Sequence, residues 1–265
     1  MITPEQIAQY LKRVPPLPET LRRTLQALDA GDLAGAARVA QEDLALMYYL
    51  RQVVNSAAYG FRQELKEAPQ IFSALGIDRA RQLLYAYMVS VLAPEKWHFF
   101  DLDQHDFRAF QTGLMRRWEK LLAREGADEK YLTAAAVIAA GLVVADALFA
   151  DRAEDVALLR QTEDLDLDTI MLRVSGVRFR QLVDKIAQKW EVPEEVRRLV
   201  NLAFGEEPCE ETPSLCRLAR LLHLLLFYEL SRPKMMEAGA NHFLSFHPEF
   251  VEPVGEAVEW IMEDE

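Results

Sequence analysis

The sequence predicts an all-α fold, on three observations. Ala, Leu, Arg, Glu and Gln dominate its 265 residues while only 11 Gly and 12 Pro interrupt them, so helix formers prevail almost throughout. Apolar residues recur at helical spacing, in runs that open on Asp or Thr and close on Gly or Pro, the residues that cap and stop helices. A balance of 51% hydrophobic to 27% charged residues supplies apolar material for one or two packed cores.

The elements follow in order. Thr3-Pro4-Glu5-Gln6 reads as N-cap, first-turn proline and capping-box glutamine, so MITPEQIAQYLKR begins a helix where an export signal would need an apolar core. Leu17 to Leu28 forms the next helix, closed by Ala30-Gly31. Asp32 caps a short helix to Ala40, and Asp43 caps LALMYYLRQVVNSAAYG, which Gly60 ends. APQIFSALG stops at Gly76, and Asp78 then caps RARQLLYAYMVSVLA, which Pro94 stops. The polar, aromatic connector KWHFFDLDQHD precedes helices over Phe107 to Glu125 and Glu129 to Ala150. Shorter helices are expected over Ala153 to Arg160, Asp168 to Val174, Val177 to Trp190 and Pro193 to Phe204. After the turn-like EEPCEETPS, Leu215 to Leu230 is strongly apolar, and a last amphipathic piece runs from Pro248 to Met262. The stop at Pro94 divides the chain into helical lobes over 1–94 and 95–230, with a helical extension over 231–265.

The net charge of -12, from 42 acidic and 30 basic side chains, opposes a broad electrostatic footprint on nucleic acid or anionic lipid and favours a protein or small-ligand partner. The longest uncharged run, Tyr131 to Ala145, has 15 residues against the roughly 18 to 20 of a membrane-spanning helix, so it is expected in the core. Cys209 and Cys216 are too few for a disulfide framework and lack zinc-site spacing. They are expected as thiols in a reducing cytoplasm, with Cys216 in the core.

Three motifs in order carry a family resemblance. VPPLPET (Val14 to Thr20) is followed by QEDLALMYYLRQVVNSAAYG (Gln41 to Gly60), with its Asn-Ser-x-x-Tyr ending, and by IFSALGIDRARQLL (Ile71 to Leu84), with Leu-Gly-x-x-x-x-Arg. Together they resemble the N-terminal lobe of the HDOD domain, the HD-related output domain of bacterial signalling proteins. The resemblance implies an HD-like multi-helix bundle with an additional N-terminal helical lobe. It extends over residues 103 to 205 and is thin from 206 onward.

Enzymatic relatives bind divalent metal through histidines and an adjacent His-Asp pair. By the resemblance, those positions here are Phe110, Val144, Ala145, Phe179, Ala203 and Phe204, all apolar. A metal ion needs lone pairs that Phe and Val lack, so no cofactor is expected and the cavity is expected to have become core. The function implied is that of a non-catalytic signal-transduction protein acting through a signalling protein partner or a small ligand.

Other constellations keep alternatives open. His98, Asp101, Asp103, His105 and Asp106 crowd the connector, although acids just before a helix usually cap it. With Asp146, the two histidines define one alternative, a divergent HD-type metal-dependent phosphohydrolase. IFSALGIDRARQLLYAY has helix-turn-helix form with Arg79 and Arg81, a second alternative as a DNA-binding regulator, but LLYAYMVSVL reads as a buried face.

Arg178 and Arg180 lie in the most basic stretch, as candidate ligand or partner contacts at a helix start or as a face paired with the acidic DLDLD segment. Asn55 and Tyr59 are candidate contacts too, against a reading in which Asn55 and Ser56 bond local backbone and Tyr59 packs its ring. Cys216 and His223 lie two helical turns apart, too far for a nucleophile and its base. His242 and His247 read as structural.

Overall fold

Acidic side chains start the helices where the sequence places them. Asp32 accepts from the Gly35 amide and Asp43 from the Leu46 amide, each satisfying a donor that a first helical turn leaves unpaired. The computed structural model describes residues 4–57, 59–98, 100, 102–162, 167–203, 209–230, 256–257 and 259–261. Among these residues there are twelve α-helices, one 3-10 helix and no strand, the all-α fold that the composition predicts.

Before Pro94 lie α1 (Pro4–Arg13), α2 (Glu19–Asp29), α3 (Leu33–Ala40), α4 (Leu44–Val54) and α5 (Ala68–Leu92). Helix α4 stops at Val54, short of Gly60, because Asn55 turns its amide to the Leu65 backbone. Helix α5 runs through Gly76, where two helices are predicted. Gly76 has φ 73° and ψ -175°, a conformation open to glycine alone, so the helix kinks there and continues.

A second series of helices follows the connector. It comprises α6 (Gln104–Glu125), a 3-10 turn (Glu129–Leu132), α7 (Thr133–Ala150), α8 (Ala153–Thr162), α9 (Leu167–Ser175), α10 (Phe179–Lys189), α11 (Glu194–Ala203) and α12 (Pro213–Leu230).

Helix α7 is the axis of the fold, packed on by α1, α5, α6, α10 and α11. Of its residues only Ala147 and Ala150 escape full burial, and each buried Val, Leu or Phe there contributes about 1.5–3 kcal/mol. The segment Glu129–Ala150 has the length and apolarity to cross a membrane, but nearly all of it is covered by other helices. One hydrophobic core runs from Ile7 across Pro94 to Ile261. Hydrogen bonds tie the lobes as well: the Tyr85 hydroxyl donates to the Trp190 carbonyl, and the Trp190 indole N–H donates to the Pro15 carbonyl at 3.0 Å.

Two features depart from the sequence reading. Cys209 and Cys216 form a disulfide rather than two thiols, so the expectation of free thiols is corrected, while Cys216 is buried as expected. Thr212 starts α12 by accepting from the Leu215 and Cys216 amides, and this turn brings the two Cα atoms to 5.9 Å, within disulfide reach despite the spacing of seven. The second feature is a buried ion pair between Arg117 of α6 and Glu229 of α12, with Arg117 Nε donating to the Ile261 carbonyl. Gly113 makes room for it, since a Cβ there would sit 3.1 Å from Arg117 Nη1. Apart from residues 256–257 and 259–261, the helix expected over Pro248 to Met262 lies outside the described residues, as do His242 and His247.

Candidate functional site

The positions assigned to metal ligands are filled. Phe110 on α6, Val144 and Ala145 on α7, Phe179 on α10 and Ala203 at the end of α11 are all buried, none more than 5% exposed. Phe204 lies outside the described residues. Phe179 reaches α7 at Gly141, where an added Cβ would come within 2.7 Å of its ring and 2.5 Å of Val183. Gly141 sits one helical turn from Val144 and Ala145, on the same face, so Phe179 packs on α7 beside them. Ring contacts extend the apolar filling from Phe110 through Phe107, Trp97 and Phe100 to Phe149.

One acid lies beside this filling, and its oxygens are engaged. Asp146 is 1% exposed and accepts from the His98 and Phe100 backbone amides, both at 2.9 Å, with His98 Nδ1 at 3.3 Å. Its charge holds the connector against α7. A cleft of about 160 Å³ opens there, with Arg13 and His98 at its mouth and Val143 and Val144 within. His105, proposed to complete a rebuilt metal site, is exposed on the first turn of α6, where Asp103 and Asp106 form a capping box. Among the described residues, no three His, Cys, Asp or Glu side chains gather in metal-binding geometry.

Arg178 and Arg180 lie at the start of α10. Arg178 pairs with Asp168 at 2.6 Å, and the other Asp168 oxygen accepts from the Phe179 amide at 2.9 Å. The last acid of DLDLD therefore both neutralises Arg178 and caps the helix carrying Phe179. Arg180 keeps a buried Nε with no hydrogen-bond partner among the described residues.

Tyr59, but not Asn55, lines a pocket of about 190 Å³ whose other walls come from α4, α5 and α6. Asn55 donates to the Arg51 and Leu65 carbonyls and accepts from the Leu65 amide, stapling the loop that carries Tyr59 and Phe61. Ser56 donates to the Val53 carbonyl. The Tyr59 and Phe61 rings stack at 6.3 Å, beside Tyr49. Burial above all pushes the Tyr49 and Tyr59 hydroxyls well above the usual tyrosine range, so both are neutral phenols.

On the far wall Arg79 pairs with Glu119, and Arg81 pairs with Asp29 and Asp78. Leu83, Leu84 and Ala86 are buried behind them. Sequence reasoning missed Tyr49, Phe61 and Arg116 as neighbours of Tyr59. The one signal for them was the pair of rings flanking Gly60.

Comparison with known proteins places this arrangement among relatives. A protein-family model described as the HDOD domain matches residues 14–203. The chain is similar in structure to an HDOD domain protein of unknown function from Geobacter sulfurreducens, with TM-score 0.65, 16% identity, and coverage of 88% of this chain and 81% of that one. A candidate phosphohydrolase from Shewanella amazonensis SB2B gives TM-score 0.66 at 17% identity, over 94% of this chain and 88% of that one. A candidate metal-dependent phosphohydrolase from the same organism gives 0.55 at 16% identity, over 96% and 87%. No curated protein matches the chain significantly. Identities this low establish a common fold.

Proposed function

Because the chain belongs to the HDOD domain family, we propose that it is a non-catalytic bacterial signal-transduction protein that regulates a partner protein by binding it. The observation that carries this reading is the apolar seam at Phe179 and Gly141. Where a hydrolase of this fold would need imidazoles and carboxylates, the chain presents Phe110, Val144, Ala145 and Phe179 in a packed core. The names of the Shewanella proteins point to phosphate ester hydrolysis, and that alternative needs a donor set here beyond Asp146 and His98.

A partner surface is available on α4. Leu44 is 83% and Tyr48 67% exposed, one helical turn apart, where most apolar side chains of their size are covered. Tyr59 and Arg180 add groups that a ligand or partner can engage, whereas Asn55 and Arg178 act by positioning a loop and a helix start. We propose that it acts in the cytoplasm and not at a membrane, although the Cys209–Cys216 disulfide is a bond that a reducing cytoplasm opposes. Its partner is a signalling protein.

The test is a capture experiment with the intact chain. Wild-type protein retains its partner, the Leu44→Glu, Tyr48→Glu double variant loses it, and neither turns over bis(p-nitrophenyl) phosphate with Mn²⁺. Turnover by the wild-type protein would restore the enzyme alternative, and equal capture by the two proteins would remove α4 from the interface.

A further inference from the structure

The pocket at Tyr59 combines features that the apolar seam lacks. Its rim is aromatic, from Tyr49, Tyr59 and Phe61, and the nearly parallel Tyr59 and Phe61 rings, 18° apart, favour a flat guest. Its opposite wall donates. Arg79 binds Glu119 through Nη2, while its Nε is buried and has no hydrogen-bond partner among the described residues, an uncompensated donor at the pocket wall. Arg116 lines the same pocket and makes no ion pair among the described residues. Glu119 neutralises Arg79, so Arg116 supplies the surplus positive charge. In a chain of net charge -12, an unpaired arginine beside aromatic rings is a local exception to the repulsion an anion meets elsewhere.

We propose that this pocket binds a small planar aromatic anion, its ring against Tyr59 and Phe61 and its carboxylate or phosphate held by Arg116 beside the Arg79 guanidinium. The flat rings set the shape of the guest, and the guanidinium forks set its charge, since they match planar oxyanions. A volume of about 190 Å³ suits one ring system with one anionic group rather than a larger cofactor. The neutral phenol of Tyr59 can donate to the same anion. The proposal rests on the reading of this protein as a binding module. It fails separately from that reading, because partner capture and small-molecule titration are different measurements.

Isothermal titration of the full-length protein with indole-3-acetate, adenosine 5′-monophosphate and neutral indole tests it. Saturable binding is expected for at least one anion, about tenfold tighter than for indole, with about a tenfold loss in Arg116→Glu and partial recovery in Arg116→Lys. Tyr59→Leu should weaken the same anion, and Lys185→Glu, on the exposed face of α10, should leave it unchanged. Tighter binding of the nucleotide identifies phosphate as the anionic group, and tighter binding of indole-3-acetate identifies carboxylate. Absence of saturable binding by both anions overturns the proposal, as does indole binding as tightly as the anions or full affinity in Arg116→Glu. Arg116 is exposed, so its variants report on the pocket with the core left intact.

Discussion

At the scale of single residues, the contact of Phe179 with Gly141 fixes how closely α10 packs on α7. Phe179→His puts a polar ring where its neighbours are Gly141 and Val183, and it should cost about 1–3 kcal/mol in urea unfolding. Adding Mn²⁺ should leave its melting temperature unchanged, and a metal-dependent rise would show that a site can be rebuilt. Gly141→Ala keeps an ordinary helical backbone but drives a methyl into the Phe179 ring, so a loss of about 1–3 kcal/mol is expected by the same measurement. The sequence made the apolar character of these positions legible, because Phe and Val can be read off directly. It could not show that Phe179 meets Gly141, since that depends on which helices pack. The caps at Asp32 and Asp43 were legible because a cap acts within three residues. The Arg117–Glu229 pair, separated by 112 positions, was not.

At the scale of elements, the kink in α5 and the loop before α12 can each be tested. A Cβ added at Gly76 meets nothing within 4 Å, so Gly76→Ala isolates the backbone cost of its conformation. That cost is about 1–3 kcal/mol by chemical denaturation, and an unchanged midpoint would mean the helix straightens without penalty. Periodicity and the glycine predicted two helices, because sequence alone cannot tell a stop from a bend. The Cys209–Cys216 bridge closes a loop with a sequence separation of seven, so reducing it should cost about 2 kcal/mol through freedom returned to the unfolded chain. Wild-type protein in reductant should then melt with Cys209→Ser. The spacing hid this bridge, since only the Thr212 turn shows that the two thiols face each other.

At the scale of the whole molecule, the lobes are joined through Tyr85, whose hydroxyl reaches the Trp190 carbonyl. Burial above all, with the nearby Asp29 charge, raises its ionisation well above the ordinary 10.0. The unfolded chain releases that proton first, so the stability Tyr85 contributes is complete below pH 10 and declines above it, by about 1.4 kcal/mol per pH unit until the folded protein titrates too. Tyr85→Phe should flatten that alkaline slope while losing about 1 kcal/mol at neutral pH. Fold class and family were legible at this scale, because they follow from local punctuation and from three motifs in order. The pocket between α4, α5 and α6 was not, because it draws on three separate stretches of chain. The Asp146 clasp carries a consequence for synthesis. The connector leaves the ribosome before the carboxylate that holds it, which lies 48 residues behind His98, a delay of about 2 to 10 seconds at ordinary translation rates. The nascent N-terminal segment emerges with the face of α5 that α7 will cover still bare until α7 arrives.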